Sequence, residues 1–524
     1  MNKIAKKIIA FASLVAMTGS IAACGGGLGG GGFEGELEPG FWANLAATTG
    51  GNSGGSGLGG SEGDFVVEGN PTAVEAYDGS AVTVTFYHTM GATLRGVLDQ
   101  ALPAFYAMYP NIKIEHSSKG DYPGLRDQIS TELNGGNSPS LAYCYPDHVA
   151  LYKKARAVAP IDDYLVSTKT VTRAGGTTET MGFSQAELNG FVRGYLEEGR
   201  AYGDGKMYTM PYSKSTEVLY YNKTFFEANK LTVPTTWDEM EETMLKIVEI
   251  DPTCVPLGYD SEANWFITMC EQLGTPYTSS VEGQKFLFDV EANHSFVERL
   301  RKWYQLGLVT TEETFGSYTS DLFTETNPNE LKSYMCIGSS AGASYQCPDP
   351  FTQENEDGTT TKVYPFEVGV ALPPQIDKNN PKVISQGPSL CMFKKTNAQE
   401  MAATWLFIKF LTSNLNLQAA FSSASGYAPV ISKLDEKSPL YASKLATADA
   451  NANLQMTCVK QCLAQEDWLF VSPAFIGSSA ARDQVGTLIQ NCFVNAPAEG
   501  QSVTDFIKSE FTKAVDNLRY LYNA

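Results

Sequence analysis

One cysteine stands where its thiol can be modified: Cys24, at the end of Ile21-Ala22-Ala23-Cys24. Lys3, Lys6 and Lys7 precede an apolar run from Ile8 to Val15 that is too short for a stable membrane span. This is the layout of a bacterial lipoprotein signal. A diacylglyceryl group would be attached to the Cys24 sulfur, residues 1–23 would be removed, and the chain would work outside the cytoplasmic membrane, held by lipid. Each buried methylene contributes about 0.8 kcal/mol, and stable anchoring takes two or more chains. The plainer reading is a secretory signal with an accidental cysteine. The residues after Cys24 favour the lipidated one, because they run GGGLGGGGFEGELEPG and then TTGGNSGGSGLGGSEG. Such a stretch buries too little apolar surface to offset its ordering entropy, so residues 24–80 are expected to form a flexible tether.

Nine further cysteines remain, at 144, 254, 270, 336, 347, 391, 458, 462 and 492. The number is odd, no CxxC is present, and no Cys/His set has zinc spacing, so no metal and no cofactor is expected. Most read as small buried apolar residues. Cys336–Cys347, or Cys492 with Cys458 or Cys462, are the conceivable bridges. Catalytic sets are equally sparse. The chain has only four histidines and no G-x-S-x-G, HExxH or P-loop pattern.

The polar residues that remain suit recognition rather than bond breaking. Asp147 lies at the end of a predicted strand, well placed to accept solute hydroxyls. Ser339 and Ser340, in Gly338-Ser-Ser-Ala-Gly342, follow another strand and form either a hydroxyl or anion cradle or a helix cap. His88 ends the first strand, and either points into a cleft or is a satisfied structural histidine.

Elements with clear periods position these groups. Ala81–His88 alternates as a strand, and Gly91–Tyr109 carries helical spacing up to Pro110. Strand 111–115, helix 122–134, strand 141–145 and helix 148–157 continue a βαβαβ rhythm, which predicts a mostly parallel sheet covered by helices. Strands are expected at 207–211, 217–221, 368–372 and 389–393. Helices are expected at 225–229, from the capping box Thr236/Glu239, and at 287–307, 398–411 and 502–521. Residues 349–361 read as a polar exposed insertion. About 440 residues beyond the tether suit two or three domains. A net charge of −20 excludes nucleic acid, which needs basic clusters, and disfavours anionic lipid surfaces. No later stretch is apolar enough for a second membrane segment.

Seven segments, in order, resemble the extracellular solute-binding proteins of bacterial ABC importers, and within them the sugar and glycerol-3-phosphate receptors. They are Thr83-Val-Thr-Phe-Tyr-His-Thr-Met90, FYAMYPNIK from Phe105 to Lys113, Lys119-Gly-Asp-Tyr122, Gly205-Lys-Met-Tyr-Thr-Met-Pro-Tyr212, Ser215-Thr-Glu-Val-Leu-Tyr-Tyr-Asn-Lys223, Pro234-Thr-Thr-Trp-Asp-Glu239 and Gly426-Tyr-Ala-Pro429. The resemblance implies an α/β fold of the periplasmic-binding-protein type II, with two α/β lobes joined by hinge strands and a ligand cleft between them. It implies an N-terminal lobe of residues 81–212 plus about 384–430, and a C-terminal lobe of about 213–383 plus 431–524. It also implies closure around a solute, delivery to ABC permease subunits, no catalysis, and a chain that acts as a monomer.

Carried over residue by residue, the resemblance implies ligand contacts from Tyr122, Ser215 with its neighbour Ser213, Tyr427, Gly387 and a stacking Trp265. Partly buried tyrosine, local backbone satisfaction, a tight turn and core packing are the competing readings of these positions. Two departures matter. Pro146, with Asp147 beside it, stands where the glycerol-3-phosphate receptors carry Glu. Phe475 stands where they carry Arg, and adds an apolar face. Arg482 is nearby, but its spacing is off. Loss of a bidentate phosphate partner favours a neutral mono- or oligosaccharide over a phosphate ester. A secreted carbohydrate-active enzyme and a receptor feeding a signalling kinase are the alternatives.

Overall fold

The computed structural model describes residues 37–49, 63–448 and 451–522. The expected signal, Cys24 and most of the two glycine-rich tracts (residues 25–36 and 50–62) lie outside these residues.

Two five-stranded sheets organise the chain. In the first, Ile112–Ser118, Val82–His88 and Leu141–Cys144 run parallel. Ser389–Met392 then pairs antiparallel with Leu141–Cys144 and with Thr209–Pro211. The second sheet repeats the plan. Val309–Thr311, Leu257–Tyr259 and Met335–Ser339 run parallel, and Glu217–Asn222 pairs antiparallel with Met335–Ser339 and Val368–Ala371. Leu141–Cys144 and Ser389–Met392 are buried at every position, as strands covered on both faces must be. Each sheet has its own apolar core. One includes Phe86, Leu98, Phe105, Leu141, Trp405 and Phe407, and the other Trp237, Leu257, Trp265, Phe266, Trp303 and Phe511.

The chain passes between the sheets more than once. Ser213–Lys214 pairs with Ala428–Pro429, and Ser215 exchanges backbone hydrogen bonds with Gln386 at 3.0 and 2.8 Å. Val383–Ile384 pairs with Leu469–Phe470. A buried ion pair sits beneath these crossings. Lys214 Nζ meets Glu198 Oε1 and donates to Ser389 Oγ at 3.0 Å. Ser385 Oγ and Ser389 Oγ donate to the two Glu198 oxygens at 3.1 and 3.2 Å. Gly387 has φ +89°, and a Cβ there would lie 2.5 Å from Ser213 O, so the crossing strands themselves require a glycine.

Within the expected tether of 24–80, the described residues 37–49 and 63–80 are packed rather than slack. Phe41–Thr49 is a helix. Trp42 is buried beside Trp303 and Trp237, with ring centroids 5.5 and 6.2 Å away. The Trp42 and Ala43 amides both donate to the Asp238 carboxylate, at 3.2 Å each, the favourable charge at a helix N-terminus. Residues 63–80 lie against the other lobe, with Phe65 fully buried. Aromatic burial outweighs the local glycine-rich composition here.

The conceivable bridges do not form, and most cysteines are buried as the sequence reading has it. All nine described cysteines are free, and eight are buried. The polar insertion is a hairpin of Phe351–Glu354 with Thr360–Val363, almost wholly exposed. The helix expected at 148–157 begins earlier, at Pro146, because proline suits the first helical position.

Candidate functional site

A cavity of about 290 Å³ lies between the two sheets' layers. Tyr122, Pro123, Tyr145, Pro146 and Asp147 form one wall, and Ser261, Asn264, Ile267, Tyr277, Thr278, Ser478 and Arg482 form the other. Glu198, Ser385, Gln386, Gly387 and Ser472 close the base at the crossings.

Local rules explain why these residues meet. Tyr122 opens the helix Tyr122–Asn134, whose Asp121 cap accepts from Gly124 N at 2.8 Å. Asp147 lies in the first turn of Pro146–Lys154. Ser261 caps Glu262–Leu273, and Ser478 begins Ser478–Val494. Four helix N-termini therefore lie at the cavity and bring partial positive charge to it. The Tyr122 and Tyr145 rings stack at 4.2 Å with planes 28° apart, a fixed aromatic pair whose outer face is a flat apolar plate. Burial pushes both hydroxyls well above the usual tyrosine range, so both stay protonated.

Charge in the cavity is close to balanced. Arg482 Nε lies 3.9 Å from Asp147 Oδ2 on the opposite wall, and Arg482 Nη1 donates to Asn264 Oδ1. Glu198 is matched by Lys214. Tyr277 Oη, Thr278 Oγ1 and Gln386 Oε1 are buried and have no hydrogen-bond partner among the described residues. Buried polar atoms of this kind cost free energy until paired, which makes them receptors for a polar guest.

The structure sorts the residues singled out from sequence. Tyr122, Asp147 and Gly387 line the cavity. Tyr427 does not. It is half-buried behind that wall, with its hydroxyl within electrostatic reach of those of Tyr122, Tyr143 and Tyr145. Ser213 and Ser215 are buried in the crossing strand, away from the cavity lining. Ser339 caps the short 3₁₀ helix Ser340–Tyr345 by accepting from Ala341 N at 3.2 Å, and Ser340 is buried with its amide donating to Thr216 O. Their turn is a cap rather than a wall of this cavity.

Three candidates belong to the interior. Trp265 is fully buried and stacks on Tyr259 at 4.6 Å. Phe475 packs against Phe286 at 5.9 Å. His88 is fully buried. Its Nδ1 accepts from Met90 N at 3.2 Å, so its Nε2 carries the proton toward His116 Nδ1 at 3.0 Å, and His116 Nε2 then meets Asp99 at 2.9 Å. Burial pulls His88 down to about 3, so it is neutral.

Sequence reasoning missed Asn264, Tyr277 and Gln386, and set Arg482 aside for its spacing. Glu262–Leu273 has nine of its twelve residues buried, which erases the amphipathic period that would mark a helix. Without that helix, or Ser478–Val494, nothing brings Asn264 to Arg482.

Comparison with known proteins agrees with this geometry. A family model described as bacterial extracellular solute-binding protein matches residues 100–451. The sn-glycerol-3-phosphate-binding periplasmic protein UgpB of Escherichia coli (strain K12) is 26% identical over 185 residues, 35% of this chain. The match spans only 38% of that relative's length. The GacH receptor of Streptomyces glaucescens, solved unliganded and with acarbose, superposes with a TM-score of 0.62 at 14% identity, covering 84% of this chain and 98% of the receptor. UgpB from Mycobacterium tuberculosis, solved with glycerophosphocholine, gives 0.62 at 16% identity, covering 85% and 99%. The fold is therefore that of a type II periplasmic binding protein, two α/β lobes with the cavity between them. With two thirds of its length matched by the family model, the chain belongs to the bacterial extracellular solute-binding proteins.

Proposed function

We propose that this chain is the receptor of an ABC importer and captures a neutral, hydroxyl-rich solute, a mono- or short oligosaccharide, by closure of its two lobes. One observation carries this reading: a cavity between the lobes that combines a stacked tyrosine plate with buried, unpartnered polar atoms on Tyr277, Thr278 and Gln386. A sugar ring offers a C–H face to the plate and hydroxyls to the polar atoms. The near balance of Arg482 against Asp147, and of Lys214 against Glu198, favours an uncharged guest. The solved receptor bound to acarbose supports the class.

The second reading is a phosphate ester. Four helix N-termini and Arg482 at the cavity favour it, as does the relative named for sn-glycerol 3-phosphate. The carboxylates of Asp147 and Glu198 oppose it.

The receptor would pass its solute to membrane permease subunits as a monomer, held on the extracytoplasmic side by lipid on Cys24. No helix among the described residues is long and apolar enough to cross a membrane. The role is binding, without catalysis. A thermal-shift panel of maltose, maltotriose, sn-glycerol 3-phosphate and glycerophosphocholine tests the reading. A ligand at 100 times its Kd adds about 2.7 kcal/mol of stability. A response to neutral saccharides supports the first reading, and a response confined to the phosphate compounds replaces it with the second.

A further inference from the structure

We propose that Tyr318 and Tyr345 form an outer subsite, on which a saccharide held in the cavity lays its next sugar units. The guest is then an oligosaccharide rather than a single ring. This deepens the solute-binding reading and rests on it, since the outer subsite has a role only when the cavity holds a sugar.

The sheet sets the position. Leu257–Tyr259, Val309–Thr311 and Met335–Ser339 run parallel, and in open α/β sheets guests bind beyond the carboxyl ends of such strands. Beyond the first stands Ser261, which caps Glu262–Leu273 and lines the cavity. Beyond the other two come the segments that carry Tyr318 and Tyr345.

One carboxylate holds both segments. Asp260 Oδ1 accepts from the Thr319 amide and hydroxyl at 2.8 and 2.7 Å, and Oδ2 accepts from Gln346 Nε2 at 3.4 Å. The same two side chains meet again at Cys336 Sγ, at 3.3 and 3.1 Å. The strands leave room for this knot. A Cβ at Gly258 would lie 2.5 Å from Thr319 Oγ1, and one at Gly338 would lie 2.6 Å from Asp260 Oδ2. Tyr318 directly precedes Thr319, Tyr345 directly precedes Gln346, and Ser261 directly follows Asp260. The backbone of both tyrosines is therefore fixed beside the cavity wall. Glu313 N, earlier in the Tyr318 segment, donates to Glu262 Oε1 at 3.0 Å and ties that segment to the same wall helix. The 3₁₀ helix ending at Tyr345 packs on Leu415–Ser425, whose Leu417 and Phe421 belong to the other lobe's core. The approach is so close that a Cβ at Gly426 would lie 2.4 Å from Ser340 O.

The two rings stay open to solvent, 61% exposed at Tyr318 and 75% at Tyr345. A single exposed tyrosine, such as Tyr520 on Val503–Tyr522, needs no explanation. Tyr318 and Tyr345 differ because one buried knot fixes both at the lobe junction, so a sugar face can settle on them with little further ordering cost. The size of the cavity calls for such surface. Its volume of about 290 Å³ is at the small end of solute pockets, which run from about 300 to 1,000 Å³, so a chain of several rings must continue outside it.

The test is isothermal titration of the full chain with glucose and with maltodextrins and cellodextrins of two to five units. The native chain should bind more tightly as units are added. Tyr318→Ala and Tyr345→Ala should each lose about three- to tenfold in affinity for the longest binder and leave the shortest binder unchanged. Tyr520→Ala, which removes an exposed ring on another element, should change neither. An affinity that does not rise with chain length, or a longest binder held as tightly by both variants as by the native chain, overturns the outer subsite and leaves the saccharide reading standing. If no saccharide binds, both fall.

Discussion

Tyr122 is the side chain on which the solute reading bears most directly, because it offers the cavity a flat face already held by the stack on Tyr145. Truncation to Ala removes a central aromatic anchor, which at such positions costs about 2 kcal/mol, roughly thirty-fold in Kd. Isothermal titration with a responding saccharide should show that loss while the circular dichroism spectrum is unchanged. Gly387 makes a different demand. Alanine there must adopt φ +89° and place its Cβ 2.5 Å from Ser213 O, so Gly387→Ala should destabilise by more than about 1 kcal/mol in urea denaturation. His88 carries a pH signature. Its folded value of about 3 lies below the ordinary 6.5, so the unfolded chain takes up a proton first as the medium is acidified. Stability from this group is therefore full above 6.5 and is lost as pH falls toward 3, at about 1.4 kcal/mol per pH unit. In urea melts, His88→Gln should flatten the acid limb over that window, and an unchanged limb would show that other groups control it.

At the scale of elements, the helix Phe41–Thr49 separates what was legible in the sequence from what was not. Strand Val82–His88 and helices Tyr122–Asn134 and Trp237–Ile250 announce themselves by period and caps, and all three are present. The N-terminal helix does not, because two aromatics among glycines look like a tether until a tryptophan cluster is built around Trp42 from residues far along the chain. Glu262–Leu273 fails for the opposite reason, being buried on nearly every face. Tyr122, Asp147 and Gly387 were within reach of sequence because each sits at a strand or helix end. Trp265 and Phe475 pack in the interior, and sequence could not separate that from a ligand contact because a buried aromatic and a cavity aromatic look alike until the neighbours are known. Trp42→Ala should leave a cavity in the second core and cost about 3–5 kcal/mol, read as a lower urea midpoint. A change within error would mean that the helix is docked too loosely to matter.

Across the whole molecule, the two lobes meet through charges as well as through the crossings. Arg126, on Tyr122–Asn134, reaches Ser479 Oγ at 2.8 Å and Asp483 at 3.4 Å on Ser478–Val494, and Arg482 on that same helix faces Asp147. Pairs that keep one partner open to solvent contribute about 0–1 kcal/mol each and weaken with salt, so they would bias the proposed closure without dictating it. Arg126→Ala should shift the open–closed ratio by no more than about fivefold, measured by small-angle scattering at low and high salt. The family model makes binding of a solute the natural work of this chain. Which solute is a question for the cavity. The most direct measurement is a crystal structure of the chain with the saccharide that gives the largest thermal shift. The prediction is a sugar ring lying on the Tyr122–Tyr145 plate, with its hydroxyls paired to Tyr277, Thr278 and Gln386. A saccharide bound outside the interlobe cavity, or one inside it that touches neither Tyr122 nor the Arg482 wall, would contradict it.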